Sequence, residues 1–491
     1  MLGLIMAIID ATIVNVALNE MAGTLGATVD EIAWVATGYI LANVVIMPLN
    51  GWLTAMLGRR TFYAACLVIF TVASLLCSLA TSVTALVIFR IIQGIGGGAL
   101  QPTAQAILFE TYPPEKRGQA MALFGIGAMV GPALGPTLGG YIVDNFSWPL
   151  IFSINIPIGI VAFIMTLAYI RDPAYIKKPE VGIDWLGLGA MTVGVASLQY
   201  VLERGQHDDW FDSATITLLL VLGIAGLAFF IRREVRDPHP IVNLRLFKRR
   251  SFAAGNLIGV VSGFGLFGLN LILPLFFQRV LGFDAWQTGL ALLPGALATA
   301  VSMPLAARAS ALIDPRYVIA SGLAIFAASA WWMGDLNQYA GYWDVFWPRA
   351  VQGFAIGFLF VPLTTATLSG IDRAGLASAT GISTLVRQLG GSLGIAILQV
   401  IQERREATVH TMLAATVTNA NPGVAQLLDT PGNHAGLIAQ ISGMVAQNAA
   451  VISYDYLFRL TAIIFALSIP LVMILRGPSH EVVIEAAPLA D

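Results

Sequence analysis

The chain has 491 residues, of which 57% are hydrophobic and 11% charged, where soluble domains carry roughly 25% charge. That balance excludes a soluble globular domain and describes a polytopic membrane protein. The net charge of −2 says little about partners, and no nucleic-acid partner is expected.

The first apolar stretch, near 1 to 20, lacks a basic leader and is interrupted by Asp10, so it reads as a retained span rather than a cleaved signal peptide. Asp10 lies about 13 Å into a ~30 Å hydrocarbon core, which places a carboxylate near midplane. Asn15 is five residues on, about 140° round the helix, and cannot share its face. Stretches near 33 to 57, 61 to 80, 83 to 110, 117 to 143 and 148 to 170 follow. Tyr39, Asn43 and Asn155 are polar points in these spans, as are Arg90, Gln93, Gln101 and Gln105 of the fourth. Arg90 and Gln93 share a face, as do Gln101 and Gln105; such groups serve as ligand contacts in a cavity or as glue between helices. Cys66 and Cys77 are eleven residues apart on one helix, roughly 16 Å, beyond disulfide reach. In the fifth stretch Gly127, Gly131, Gly135 and Gly139 recur every four residues, and Pro132 and Pro136 bend the helix. Such a stripe suits a helix that rocks against the opposite half, although the spacing by itself indicates only close packing.

Two stretches near 184 to 204 and 213 to 231 precede six more, near 252 to 280, 286 to 310, 316 to 334, 344 to 369, 377 to 402 and 455 to 475. The sequence Arg90-Ile-Ile-Gln93-Gly94 returns as Arg349-Ala-Val-Gln352-Gly353, each followed by a proline, Pro102 or Pro362, and then by a loop carboxylate, Glu115 or Asp372. A charge within hydrocarbon costs at least ~2.5 kcal/mol, so both arginines must face a partner or a watery cavity. The duplication implies two related halves around such a cavity. It aligns only if the central pair is an insertion: a six-helix bundle over 1–171, a two-helix insert with linkers over 172–250, and a second bundle over 251–491. Arg387, followed by Gly390, Gly391 and Gly394, is a candidate gate or cavity charge. Residues 403–454 form the longest segment between spans, with helical runs near 403 to 418 and 434 to 451 flanking the break NPGVAQLLDTPGN; a small cap is expected there.

Basic residues in short loops fall heavily on one side, with Arg59, Arg60, Lys116, Arg117, Arg171, Lys177, Lys178, the run from Arg232 to Arg250, Arg308, Arg316, Arg373 and Arg476. The other side holds only Arg204, Arg279, Arg404, Arg405 and Arg459. The first side is therefore expected to be cytoplasmic, with both termini inside. Arg90, Arg349 and Arg387 remain within spans, as functional charges or as snorkelling helix-end residues. All five histidines fall in hydrophilic connections or tails, so no intramembrane metal or haem site is expected. No GxxxxGK[ST] phosphate loop occurs, so ATP is not the direct energy source.

Several segments resemble the major facilitator superfamily, and within it the fourteen-helix drug:proton antiporters of EmrB/QacA type. They are IDATIVNVALN in the first span, FRIIQGIGGGALQP in the fourth and GAMVGPALGPTLGGYI in the fifth. MPLNGWLT, YPPEKR, SINIPIG, LERGQHDDWF, HPIVNLRLFKRRSF and VPLTTATLSG add a likeness to EmrB proteins. The resemblance covers nearly the whole chain and implies an all-α fold of two pseudo-symmetric six-helix bundles plus two central helices. It departs in the loop GWLTAMLGRR, where Ala55 stands in place of the family aspartate while Gly51, Gly58, Arg59 and Arg60 remain. The charge relay assigned to that loop lacks its acid, and its arginines are left to helix ends, anionic lipid or a topogenic role.

The resemblance implies a protonatable acid in helix one and a basic residue in helix four, which match Asp10 and Arg90. Desolvation favours the neutral carboxyl and a nearby guanidinium favours the ionised one, so an aspartate moving between such settings binds and releases a proton. A fixed brace between two helices is the alternative. The expected function is proton-driven export of amphipathic and hydrophobic small molecules across a bacterial inner membrane, with no cofactor beyond the proton motive force. The same fold also serves metabolite or siderophore exporters and uniporters; an integral-membrane enzyme would need a catalytic cluster that the sequence lacks. EmrB-like proteins work with a periplasmic membrane-fusion adaptor and an outer-membrane channel, so residues 403–454 are either a docking hairpin or a passive lid.

Overall fold

The computed structural model describes residues 1–173, 184–237, 240–417 and 434–475, and every regular element among them is helical. Helix α1 (Leu2–Leu25) stops at Gly26, whose φ of 63° is the left-handed conformation that closes a helix end. A capping box opens α2 (Val29–Ile46): the Thr28 and Glu31 backbone amides each donate to the other's side chain, at 2.9 and 3.3 Å. Pro48 tightens the next turn, and the span continues through α3 (Asn50–Leu57) to Gly58, where φ is 82°. The first bundle is completed by α4 (Arg59–Ser78), α5 (Val83–Thr111), α6 (Arg117–Asn145), the short α7 (Leu150–Ser153) and α8 (Asn155–Tyr169). The insert is α9 (Trp185–Arg204) and α10 (Ala214–Arg236). The second bundle is α11 (Arg250–Arg279), α12 (Ala285–Leu312), α13 (Pro315–Met333), α14 (Tyr342–Leu368), α15 (Leu376–Thr416) and α16 (His434–Ser468). Among the described residues twelve segments are long and apolar enough to cross a membrane; α6 and α13 complete the two bundles and bring the spans to fourteen.

Pairings repeat between the bundles: α1 packs on α6 as α11 does on α15, α5 on α2 and α4 as α14 does on α12 and α13, and α4 on α8 as α13 does on α16. Lipid tails are as apolar as leucine, so helix association here depends on close packing rather than on the hydrophobic effect. The glycine of the repeated arginine motif has that role in both copies. A Cβ on Gly94 would sit 2.6 Å from the Tyr39 carbonyl oxygen, and one on Gly353 would collide with the Gly295 carbonyl.

The halves meet through α6 against α12 and through the α2–α3 bend and α5 against α15. These contacts gather at the end that carries the basic loops. Asn50 Nδ2 donates to the Ala377 carbonyl at 2.9 Å, Gly51 lies against Ser378, Gly118 against Ala307, and Phe124 stacks on Phe360 with centroids 6.1 Å apart. One buried cluster joins Phe124 of the first bundle, Met303 and Phe360 of the second, and Met191 of the insert. The molecule is thus closed at its basic end. At the other end the insert touches both bundles, with His207 2.6 Å from Asp30 and Gln206 hydrogen-bonded to Glu403. A cavity of about 540 Å³ opens there beside Gln206, Arg279, Glu403 and His410.

Two expectations are corrected. The glycine stripe of α6 does not face the opposite half; it faces α1 of its own bundle. A Cβ on Gly131 would collide with Ile8, one on Gly135 with the Thr12 hydroxyl, and one on Gly139 would lie 2.8 Å from Ile13. Thr12 Oγ1 donates across this interface to the Gly131 carbonyl at 3.1 Å. The side chains of Pro132 and Pro136 lie outside what is described. Gly135→Val is expected to destabilise the protein by about 1–3 kcal/mol through overpacking, read as a lowered thermal midpoint in detergent. An unchanged midpoint would mean that α1 and α6 are free to separate.

The segment 403–454 does not begin as a separate cap. Helix α15 runs unbroken for 41 residues, about 61 Å, twice the hydrocarbon thickness. The second run is the start of α16, which has 35 residues and ends before Pro470, in a 3₁₀ turn within the expected last span. No proline or glycine interrupts Glu403 to Thr416, so the helix of the thirteenth span simply continues through it. The Pro/Gly/Asn break falls within 418–433, outside the described residues.

Candidate functional site

Five helices converge on Asp10. Arg90 Nη1 of α5 lies 2.6 Å from Asp10 Oδ2. Gln93 Nε2 and, from α8, Asn155 Nδ2 donate to Oδ1 at 2.9 and 2.7 Å. Both amides also reach Ser74 Oγ on α4, at 3.2 and 3.0 Å, and that hydroxyl donates to the Phe152 carbonyl at 2.9 Å. Arg90 donates further to Gln93 Oε1 at 2.7 Å and from Nε to the Val35 carbonyl of α2 at 3.1 Å, and its guanidinium lies 4.2 Å from the centre of the Tyr39 ring. The i, i+3 spacing of Arg90 and Gln93 makes this possible, since both project from one face of α5.

Asp10 is 0% exposed and Arg90 1%. Burying two such charges costs several kcal/mol each, offset only when geometry is good and the remaining valences are filled. Here the carboxylate accepts three donors and the guanidinium also engages a carbonyl, an amide oxygen and an aromatic face.

The sequence left Tyr39, Asn43, Gln93 and Asn155 as ligand contacts in a cavity or as glue between helices. The structure gathers Tyr39, Gln93 and Asn155 around the ion pair, with Asn43 buried beside Tyr39 and Gly97. Asn15 is exposed and takes no part in the network, and Gln101 is half-buried. Ser74 was missed, since a lone serine in an apolar helix carries no signal of its partners.

The second half repeats the arrangement with one substitution. Arg349 of α14 hydrogen-bonds Gln352, as Arg90 does Gln93, but where α1 supplies a carboxylate α11 supplies an amide: Asn270 Oδ1 lies 3.4 Å from Arg349 Nη2. Asn270 precedes Arg349 by 79 positions, where Asp10 precedes Arg90 by 80. That spacing is legible in the sequence once the repeat is aligned. An amide does not titrate, so among the described residues the first half alone holds an acid against its repeated arginine. Arg349 Nε and Gln352 Nε2 have no hydrogen-bond partner among the described residues. Asn270→Asp is expected to raise the thermal midpoint in detergent, because a hydrogen bond to a charged group contributes about 1.5–3 kcal/mol. A lowered midpoint would show that Arg349 needs no counter-charge.

Between the halves lies a cavity of about 40 Å³, room for water molecules. Gln105 of α5 lines it, with Asn256 and Ser262 of α11, Phe360 and Thr364 of α14, and Ser383 and Arg387 of α15. The Arg387 guanidinium stands 5.2 Å from the centre of the Phe360 ring; no carboxylate among the described residues pairs with it.

At the basic end, the loop with Ala55 is served by other acids. Arg59 meets Glu110 at 2.6 Å. Asp172 Oδ1 accepts the Arg60 backbone amide at 2.8 Å and lies against Gly58, while Arg60 Nη2 donates to the Leu167 carbonyl at 2.7 Å. A carboxylate of α5 thus covers Arg59, one just past α8 takes the Arg60 backbone amide, and Gly51 packs on Ser378 of α15.

The model of the Major Facilitator Superfamily matches residues 1–395. The multidrug export protein EmrB of Escherichia coli (strain K12) is 36% identical over 479 residues, covering 96% of this chain and 93% of the relative. The fatty acid resistance protein FarB of Neisseria gonorrhoeae is 35% identical over 486 residues, covering 98% and 95%. Among solved structures, the human organic anion transporter MFSD10 (TETRAN) superposes with a TM-score of 0.60 at 14% identity, covering 94% of this chain and 97% of that one. The proton:xylose symporter XylE gives a TM-score of 0.58 at 14% identity, covering 94% and 92%. With two pseudo-symmetric bundles, an arginine motif repeated in each and a family match across four-fifths of its length, this chain belongs to the major facilitator superfamily.

Proposed function

We propose that the protein is a proton-coupled multidrug exporter that works by alternating access in a bacterial inner membrane. The observation that carries the reading is the Asp10–Arg90 pair: one titratable acid, buried at mid-span and linked to α2, α4, α5 and α8 by a single hydrogen-bond cluster. Protonation removes the charge that holds Arg90 and loosens α1 from α5; deprotonation restores the bond. The names of the two relatives, a multidrug export protein and a fatty acid resistance protein, support export of small amphipathic molecules.

With the basic end in the cytoplasm, closure of the halves at that end is the outward-facing state. Asp10 is sealed in this state, so proton exchange requires the α1–α5 contact to open. One proton crossing 100 mV supplies ~2.3 kcal/mol, enough for about a fiftyfold substrate gradient. The parts of α15 and α16 beyond the membrane offer a docking surface to a periplasmic adaptor.

The test is substrate-induced proton movement in proteoliposomes with an imposed pH gradient, using lipophilic cations, weak acids and neutral drugs. Addition of a substrate is expected to dissipate the gradient. Drug movement without proton movement would make the protein a uniporter, and a gradient undisturbed by the whole panel would remove the proposal.

A further inference from the structure

Three arginines lie within the membrane span, and they are compensated unequally. Arg90 has Asp10. Arg349 has only the amides of Gln352 and Asn270. Arg387 pairs with no acid and no amide among the described residues, and has the face of Phe360. It sits eleven residues from the start of α15, roughly 16 Å into the span, where an uncompensated guanidinium is costly. Glu203 of α9 meets α15 one and a half turns away, but its carboxylate is held by Gln199 and by Ser392 at 2.9 and 3.3 Å and makes no ion pair. Glu403 of α15 is engaged by Gln206.

The wall around Arg387 is divided. Near it stand two polar atoms without partners, Gln105 Oε1 and Ser383 Oγ; Gln105 is 2% exposed and comes from the opposite half. The rest of the lining is mainly apolar or aromatic, with Leu266, Phe326, Ile356, Leu359 and Phe465. A fixed positive charge, hydroxyl and amide groups lining the same cavity, and a wall of apolar and aromatic side chains form the complement of one chemical class: an anionic head on a hydrophobic body.

We propose that Arg387 is the head-group receptor for amphipathic organic anions, with Ser383 donating a second hydrogen bond, Gln105 carrying the contact across to the first half, and the aromatic wall taking the body. This rests on the exporter reading and names its preferred cargo. At about 40 Å³ the cavity is too small for a drug-sized molecule, so the anion enters when the halves part at the basic end. The charge balance has a consequence. An anion leaving while one proton enters on Asp10 moves two unit charges, so a potential of 100 mV, which supports about a fiftyfold gradient for a neutral cargo, supports about 2,500-fold for the anion.

The test uses three probes with one body and different heads: 1-pyrenebutyrate, its neutral amide, and the matching trimethylammonium cation. Binding to the purified full chain in detergent is followed by fluorescence anisotropy, with no gradient present. The wild type is expected to bind the carboxylate at least tenfold more tightly than the amide. Arg387→Gln is expected to erase that preference and to tighten the cation, and Arg387→Lys to restore part of it. Equal affinity of the wild type for all three heads, or the same loss for all three in both variants, would overturn the assignment. Proton movement in proteoliposomes is read separately: its absence for every probe counts against the exporter reading, while the head-group preference is decided by binding alone.

Discussion

Asp10→Asn is expected to abolish proton-coupled efflux while the protein still inserts and folds. The substitution keeps shape and volume but removes the only charge in the buried network that a proton can cancel. It also inverts one hydrogen bond: the carboxylate accepts from Arg90 on one oxygen and from Gln93 and Asn155 on the other, and an amide must turn its NH2 toward one of these donors. The expected loss is about 1–3 kcal/mol for an unsatisfied buried group, a lowered thermal midpoint rather than failure to fold. The molecule already holds this composition once, because Asn270 faces Arg349 in the second half. Drug-driven collapse of a pH gradient should vanish in Asp10→Asn and persist, with changed rate, in Asp10→Glu, which retains a titratable group. Normal coupled efflux from Asp10→Asn would leave the pair as a brace between helices.

The second large effect is expected from Arg90. Arg90→Ala strands a carboxylate with no exposure among helices, and breaking one side of a buried pair typically costs 3–5 kcal/mol. Expression and thermal midpoint should both fall sharply. Adding Asp10→Asn should recover part of the loss, because the double variant no longer buries a lone charge; the two substitutions share a contact and are not additive. Arg349→Ala is the control. It strands no acid and should cost less than Arg90→Ala. If the double variant is as unstable as the sum of its parts, the 2.6 Å contact contributes little and the network owes its stability to Gln93, Asn155 and Ser74.

Much of this architecture was written in local terms. Runs of about twenty apolar residues must become helices in lipid, since no other arrangement satisfies their backbone groups within one segment, and that fixes the spans and the central insertion. The repeat around Arg90 and Arg349 is visible because a charged residue in such a run is conspicuous, and Asp10 stands out for the same reason. The spacing of Arg90 and Gln93 correctly placed both side chains on one face.

The tertiary structure decided which faces meet. In water the buried side of a helix is its apolar side; in lipid nearly every side is apolar, so the sequence of α6 could not say whether its glycines would face α1 or the other bundle, and they face α1. Asn155 reaches Asp10 across 145 positions of chain and Ser74 joins only through Asn155 and Gln93, and nothing local in an uncharged serine or asparagine announces such a partner. Asn270 acquires meaning only against Arg349, and Arg387 only against a cavity wall that holds no acid. Charge and length are properties of a segment, whereas neutralisation and coupling are properties of pairs, and pairs exist only once the helices have packed.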